Sequence, residues 1–111
     1  MENPKFQIFQ SKSNKKFYFR LRARNGKIVL SGSEGYSSKQ SCKNGIKSVS
    51  SNAKSIKNFE CKEGKTFTFR LRAKNNEIIG KSQSYKSKRA RDNGVKSVQE
   101  SSKNAPVEDL S

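Results

Sequence analysis

Apolar and basic side chains alternate along Phe17-Tyr18-Phe19-Arg20-Leu21-Arg22-Ala23-Arg24, and the alternation returns fifty residues later in Phe67-Thr68-Phe69-Arg70-Leu71-Arg72-Ala73-Lys74. A period of two places Phe17, Phe19, Leu21 and Ala23 on one face of a strand and Tyr18, Arg20, Arg22 and Arg24 on the other. Asn25-Gly26 follows, and this pair predicts a type I′ hairpin turn, because both central residues of that turn need positive φ. An antiparallel return strand over Lys27 to Leu30 is then expected. The second copy has Asn75-Asn76 at the turn, where Asn takes up positive φ less easily than Gly but better than most residues. Upstream, Lys5 to Ser11 reads as a first strand with Phe6 and Ile8 in phase and Phe9 breaking the alternation. Ser13-Asn14-Lys15 is the turn after it.

The periodicity then changes. Ser31 to Gly35 is polar and reads as a loop, with Gly80 to Ser84 as its counterpart, and Tyr36 and Tyr85 begin the next aligned stretch. Ser38 and Ser87 are natural helix N-caps. Cys42, Ile46 and Val49 follow at i, i+4 and i+7, while Lys39, Lys43 and Lys47 fall on the opposite face. Asn44-Gly45 and Asn93-Gly94 would ordinarily mark a turn, but the apolar period continues past them. An uninterrupted helix is therefore expected, its glycines allowing close approach to the sheet. Asn104-Ala105-Pro106 ends the second helix, and Val107 to Leu110 reads as a short terminal strand. In the first half, Asn52-Ala53-Lys54 plays the same part and leads into Ile56 to Glu60, which aligns with Phe6 to Gln10.

Between the two copies, 8 of 13 residues are identical over the strand-and-turn stretch and 8 of 14 over the stretch from Tyr36 to Val49. The chain is thus a tandem repeat, approximately 1–54 and 55–111, within one domain. A unit of about fifty residues buries its apolar face poorly alone, so the copies are expected to pack around a pseudo-twofold axis. Phe-x-Phe-x-Leu-x-Ala-x-Asn, Tyr-Ser-Ser-Lys or Tyr-Lys-Ser-Lys, Asn-Gly-Ile/Val-x-Ser-Val and Asn104-Ala105-Pro106 together resemble the YegP-like family over nearly the whole chain. That resemblance implies an α+β fold of two tandem β-β-β-α-β units. They would form one continuous antiparallel sheet with two helices packed on it and the C-terminal strands exchanged between units. It implies that Asn44-Gly45 and Asn93-Gly94 lie inside helices, and that a tandem chain is its own dimer. It supplies no activity.

Composition narrows the function. The chain has 111 residues, only 30% of them hydrophobic, and 25 Lys and Arg against 9 Asp and Glu, for a net charge of +16. The core must be thin, and an anionic partner, whether nucleic acid, an anionic membrane surface or an acidic protein, is in keeping with the charge, while no segment approaches the length needed for insertion across a membrane. The charge is spread, with 11 bases and 2 acids up to residue 52 and 14 and 7 beyond it. Met1 to Lys5 is polar and carries no targeting pattern, and two unpaired-looking cysteines, Cys42 and Cys61, suit a reducing cytoplasm. There is no His, no acid is duplicated at an equivalent position, and two thiols alone hold no metal. Gly80-Lys81-Ser82 lacks the first glycine of a phosphate loop. No catalytic residue, cofactor or metal is expected, and the chain reads as a non-enzyme.

What remains is the basic stripe. Arg20, Arg22 and Arg24, repeated as Arg70, Arg72 and Lys74, with Tyr18 among them, could track a phosphate backbone and stack a base. The same residues serve equally as the solvated face of a half-covered sheet, which makes a protein-interaction or structural module the preferred reading and nucleic-acid binding the alternative. The outer helix faces, with Lys39, Lys43 and Lys47 and then Lys88, Arg89, Arg91 and Lys96, read as solvated surface.

Overall fold

The computed structural model describes residues 3–111, so the reading of Met1 to Lys5 falls partly outside it. Its strands are β1 (Lys5–Gln10), β2 (Phe17–Arg22), β3 (Ile28–Gly32), β4 (Phe59–Glu63), β5 (Phe67–Arg72), β6 (Ile78–Lys81) and β7 (Val107–Asp109). Two helices, α1 (Lys39–Asn52) and α2 (Lys88–Ser101), pack on one face of a single seven-stranded sheet ordered β4-β5-β6-β3-β2-β1-β7. Phe6, Ile8, Phe19, Leu21, Leu30, Phe69 and Leu71 point to the helices, where they meet Cys42, Ile46, Val49, Val95 and Val98. Both helices run unbroken through their Asn-Gly pairs, capped by Ser38 and Ser87, whose hydroxyls accept from the amides of Ser41 and Ala90 at 3.1 Å.

The glycines inside the helices are explained by two tyrosines. A Cβ on Gly45 would lie 2.8 Å from Tyr36 Cζ, and one on Gly94 would lie 2.7 Å from Tyr85 Cζ. Each tyrosine stacks on a core phenylalanine, Tyr36 on Phe19 and Tyr85 on Phe69, with 6.2 Å between centroids in both. Gly45→Ala would gain about 1 kcal/mol in helix propensity, but forcing the ring aside costs more. We expect a net loss of about 1–2 kcal/mol. Gly64→Ala, with nothing within 4 Å of the added methyl, should be neutral or stabilising by up to about 1 kcal/mol. Urea midpoints for the two variants check the difference; equal midpoints would remove this account of Gly45.

Several expectations change. The sheet is mixed rather than wholly antiparallel: β7 runs parallel to β1, with the Phe6 amide donating to Pro106 O at 2.9 Å and the Leu110 amide to Ile8 O at 2.8 Å. Only the second helix is followed by a strand of its own. After α1 the chain makes a 3-10 turn (Ile56–Asn58) that leaves Ile56 63% exposed, and then enters β4. The pairs Phe59↔Leu71 and Cys61↔Phe69 repeat Phe6↔Leu21 and Ile8↔Phe19, so Phe59 to Glu63, not Ile56 to Glu60, is the counterpart of β1. The shift arises because the turn between β4 and β5 is shorter than the one between β1 and β2.

The return strand also runs further than its hydrophobicity suggested. Ser31-Gly32 belongs to β3 and Gly80-Lys81 to β6, and the two three-stranded meanders are sewn together there, Ser31 opposite Lys81 and Gly32 opposite Gly80. Glycine is needed at this seam for room: a Cβ on Gly80 would lie 2.7 Å from Leu30 Cδ2, and one on Gly32 would lie 2.9 Å from the Phe19 ring. The hairpin turn is not type I′. Gly26 N donates to Ala23 O and Ala23 N to Lys27 O, each at 2.9 Å, and only Gly26 has positive φ, at 81°. This is a three-residue loop ending in a left-handed residue, and Asn76 takes that position in the second copy at φ 70°.

Candidate anion-binding face

The side of the sheet away from the helices carries a row that crosses all seven strands. Following the registers, it reads Glu108, Gln7, Arg20, Ser31, Lys81, Arg70, Glu60. Arg22 and Arg72 stand two residues along on β2 and β5. Arg20, Arg22, Arg70 and Arg72 therefore do share one surface. The two pairs are three strand spacings apart, roughly 14 Å, and Lys81 stands between them.

Arg24 and Lys74 do not join the row. The strands end at Arg22 and Arg72, and both residues lie in the turns, where Arg24 borders a hollow with Ser97 and Glu100 of α2 and Lys74 borders one with Ser48 and Ser51 of α1. The bulge at Leu21/Arg22, matched at Leu71/Arg72, interrupts the alternation just before them.

The two halves of the row differ most directly at the position that the two arginines share. Glu60 on β4 takes Arg70 Nη2 and, at 2.9 and 3.0 Å, Arg72 Nη2 and Nε. These hydrogen bonds, Arg70's first and then Arg72's, hold the Glu60 carboxyl below its ordinary value. Arg70 Nε is a buried donor with no protein partner among the described residues. The residue of β1 in the equivalent register is Gln7, which is neutral. Arg20 Nε and Arg22 Nε both donate to its Oε1, at 2.8 and 2.7 Å. Burial and then the adjacent Arg22 charge pull the Arg20 guanidinium below its usual value. The nearest acid here is Glu108 of β7, which accepts from Gln7 Nε2 at 2.6 Å and pairs with Lys5 at 3.4 Å.

A residue missed in the sequence completes the first half. Phe9, out of phase with the buried residues of β1, faces outward and stacks on Tyr18 at 5.9 Å between centroids, and the Arg20 guanidinium sits 4.8 Å from its ring centre. Its signal was the broken alternation itself. Tyr18 is not an open platform, since its hydroxyl accepts from Asn14 Nδ2 at 2.9 Å and a Cβ on Gly35 would lie 2.8 Å from its ring. The column Tyr18–Phe9–Arg20 instead fixes one guanidinium plane against solvent. Thr68 stands where Tyr18 does in the second copy, and the register puts Lys62 where Phe9 is.

Two readings of single residues are corrected or sharpened. Arg91, expected on the outer helix face, takes the place of Cys42 and is only 3% exposed. It is bound by Asp92 at 3.1 Å and Glu63 at 3.5 Å and sits 5.8 Å from the Phe67 ring. Cys42 is fully buried, and loss of hydration, with Asp109 nearby, pushes its thiol up to about 11, so it is held as the thiol at neutral pH. Cys61 is exposed on β4.

β7 is held at the edge of this face by acids. Asp109 pairs with Lys39 at the start of α1 at 3.0 Å. Hydrogen bonds from Ser111 and then Lys39 lower its carboxyl from 3.8 to about 2. A depressed folded value means the contribution is complete above the unfolded value and disappears as pH falls through the folded one. Protection of the Leu110 and Phe6 amides from hydrogen exchange should therefore fall between pH 4 and pH 2 while core amides such as Leu71 stay protected. Unchanged protection at Leu110 down to pH 2 would contradict the pairing.

With this geometry in place, the chain can be set beside known proteins. A family model described as Domain of unknown function (DUF1508) matches it twice, over residues 12–60 and 63–109. The chain belongs to that family. A UPF0339 protein of Treponema denticola is 53% identical over 49 residues, 44% of this chain and 81% of its own length, so that relative is about one repeat long. UPF0339 protein YegP of Yersinia pestis is 46% identical over 55 residues, 50% of this chain and 47% of its own. The solution structure of UPF0339 protein SO3888 from Shewanella oneidensis superposes with a TM-score of 0.89 at 38% identity, covering 97% of this chain and 92% of that one. That of yegP from E. coli, a protein of unknown function, gives 0.89 at 35%, covering 99% and 95%. The YegP-like resemblance is thereby established, as is an α+β fold of one mixed sheet and two helices. No helix among the described residues is long and apolar enough to cross a membrane.

Proposed function

We propose that this DUF1508 chain is a cytoplasmic, non-enzymatic binding module that holds a polyanion, nucleic acid, on the β1–β2 half of its open sheet face. In this reading it works as a monomer whose repeats, 1–54 and 55–111, form an internal pseudo-twofold dimer. The observation that carries the proposal is the difference between Gln7 and Glu60. Two guanidiniums converge on a neutral acceptor in the first repeat and on a carboxylate in the second. Arg20 and Arg22, with Ser31 and Lys81 alongside, thus retain charge that a phosphate can take up, and the stacked Phe9 and Tyr18 keep Arg20 in place.

Titration with single-stranded and duplex DNA at two salt concentrations tests it. About three phosphate contacts on a single strand give a slope of log K against log salt near −2. Absence of binding at low salt overturns the proposal. A second reading, an interaction or structural module whose charge only keeps it soluble, is favoured by the closure of Arg70 and Arg72 onto Glu60. Partners that survive nuclease treatment of a lysate pulldown, together with no DNA binding, would select it.

A further inference from the structure

The helix side of the molecule holds a second basic feature, built from positions that the repeat duplicates. Lys47 of α1 and Lys96 of α2 are equivalent, as are Lys54 and Lys103 just beyond the helix ends. In the fold these four come together around two adjoining hollows. The larger, about 590 Å³, is bordered by Ile46, Lys47 and Lys54 from the first half and by Lys103, Ala105 and Val107 from the second. The smaller, about 300 Å³, shares Lys54 and Lys103 and adds Lys96, with Glu100 as its one carboxylate.

Three properties distinguish this place from an ordinary lysine-bearing helix surface. Among the described residues, the ion pairs take Lys5, Lys39, Lys88, Arg70, Arg72 and Arg91, and none of the four lysines. The floor is apolar and open to solvent, Val107 being 43% exposed, one of few exposed large apolar side chains among the described residues. Ser50 and Ser51 border the same hollow. Lysines after a helix end complement its macrodipole, which accounts for Lys54 and Lys103 but not for Lys47 or Lys96, which lie within the helices.

We propose that this double hollow binds a small phosphate-bearing molecule with an apolar or planar body, of the nucleoside-polyphosphate class. The apolar floor takes the body, and the lysines and serine hydroxyls take the phosphates. A volume of about 590 Å³ falls in the range of small-molecule sites, roughly 300–1,000 Å³. Three lysines border each hollow, Lys54 and Lys103 being common to both, and such a grouping suits a compact cluster of phosphates better than an extended strand.

The test is an amide-resolved NMR titration of the full chain with adenosine triphosphate, inorganic triphosphate and adenosine, each without divalent metal. Adenosine triphosphate should shift the amides of Ile46, Lys47, Ala105 and Val107 and bind at least fivefold tighter than inorganic triphosphate, with adenosine alone weaker than both. Lys54→Ala with Lys103→Ala should weaken it tenfold or more, and Arg20→Gln with Arg22→Gln should change it less than twofold. Equal affinity for the two triphosphates, shifts confined to the sheet face, or an unaffected lysine double variant would each overturn the proposal. Because the sheet-face variants serve as the control, its failure is separate from that of the nucleic-acid reading.

Discussion

Replacing Arg20 and Arg22 together by glutamine should lower affinity for single-stranded DNA at low salt by tenfold or more, while the same change at Arg70 and Arg72 should lower it by less than threefold. Four arginines occupy equivalent places, so composition alone predicts equal effects. The inequality follows from Glu60, whose carboxylate already takes Arg70 and Arg72. An incoming phosphate must displace it there, whereas at Arg20 and Arg22 it displaces an amide oxygen. Both sets of bonds have a charged donor, but only Glu60 adds a full opposite charge to be displaced, which sets the sense of the difference. Glu60→Gln should then raise affinity severalfold by making the second half resemble the first. Equal losses from the two arginine pairs, or no gain from Glu60→Gln, would refute the asymmetry.

Phe19→Ala should cost about 3–5 kcal/mol, a large part of the roughly 6–15 kcal/mol that a chain of this length has in total. The ring is fully buried where several parts of the first repeat meet. It stands edge-on to Phe6 at 6.3 Å and stacks on Tyr36 at 6.2 Å. It also presses against the Cα positions of Gly32 and Gly45, where an added Cβ would lie 2.9 and 3.2 Å from it. Two glycines have made room for this one side chain, and neither can move in to fill the cavity its loss leaves. Phe9→Ala is the converse case. Phe9 is only half-buried on the outer face, so its loss should cost about 1 kcal/mol or less while weakening DNA binding through Arg20. Urea unfolding and DNA titration of both variants separate the roles; a stability loss for Phe9→Ala matching that for Phe19→Ala would place Phe9 in the core instead.

Much of the fold was legible because its determinants are local. Strict alternation in β2 and β5, the serine caps and the 3.6-residue spacing of Cys42, Ile46 and Val49 each need only neighbours in sequence to be read. The misreadings share another cause. Ser31-Gly32 and Gly80-Lys81 look like loop because their small residues make room for Leu30 and Phe19, which no local pattern displays. Arg91 looks like surface because its burial depends on Glu63, 28 residues earlier, and on Asp92 beside it. β4 was displaced by three residues because Ile56 aligns as well as Phe59 until the pairing with Leu71 and Phe69 is known.

For the candidate face, the sequence by itself determined which residues are basic, that they recur, and that the strand alternation turns them away from the core. It did so because a strand's side chains obey a period that the chain carries within itself. Only the tertiary structure decided which arginines keep their charge free. That depends on cross-strand register, which set Gln7 beside Arg20 and Arg22 and Glu60 beside Arg70 and Arg72, and on the outward turn of Phe9. Register is fixed by turn length and by which apolar residues meet across strands. Arg24 and Lys74 fell out of the row for the same reason, since a bulge and a three-residue turn ended the alternation one step before them.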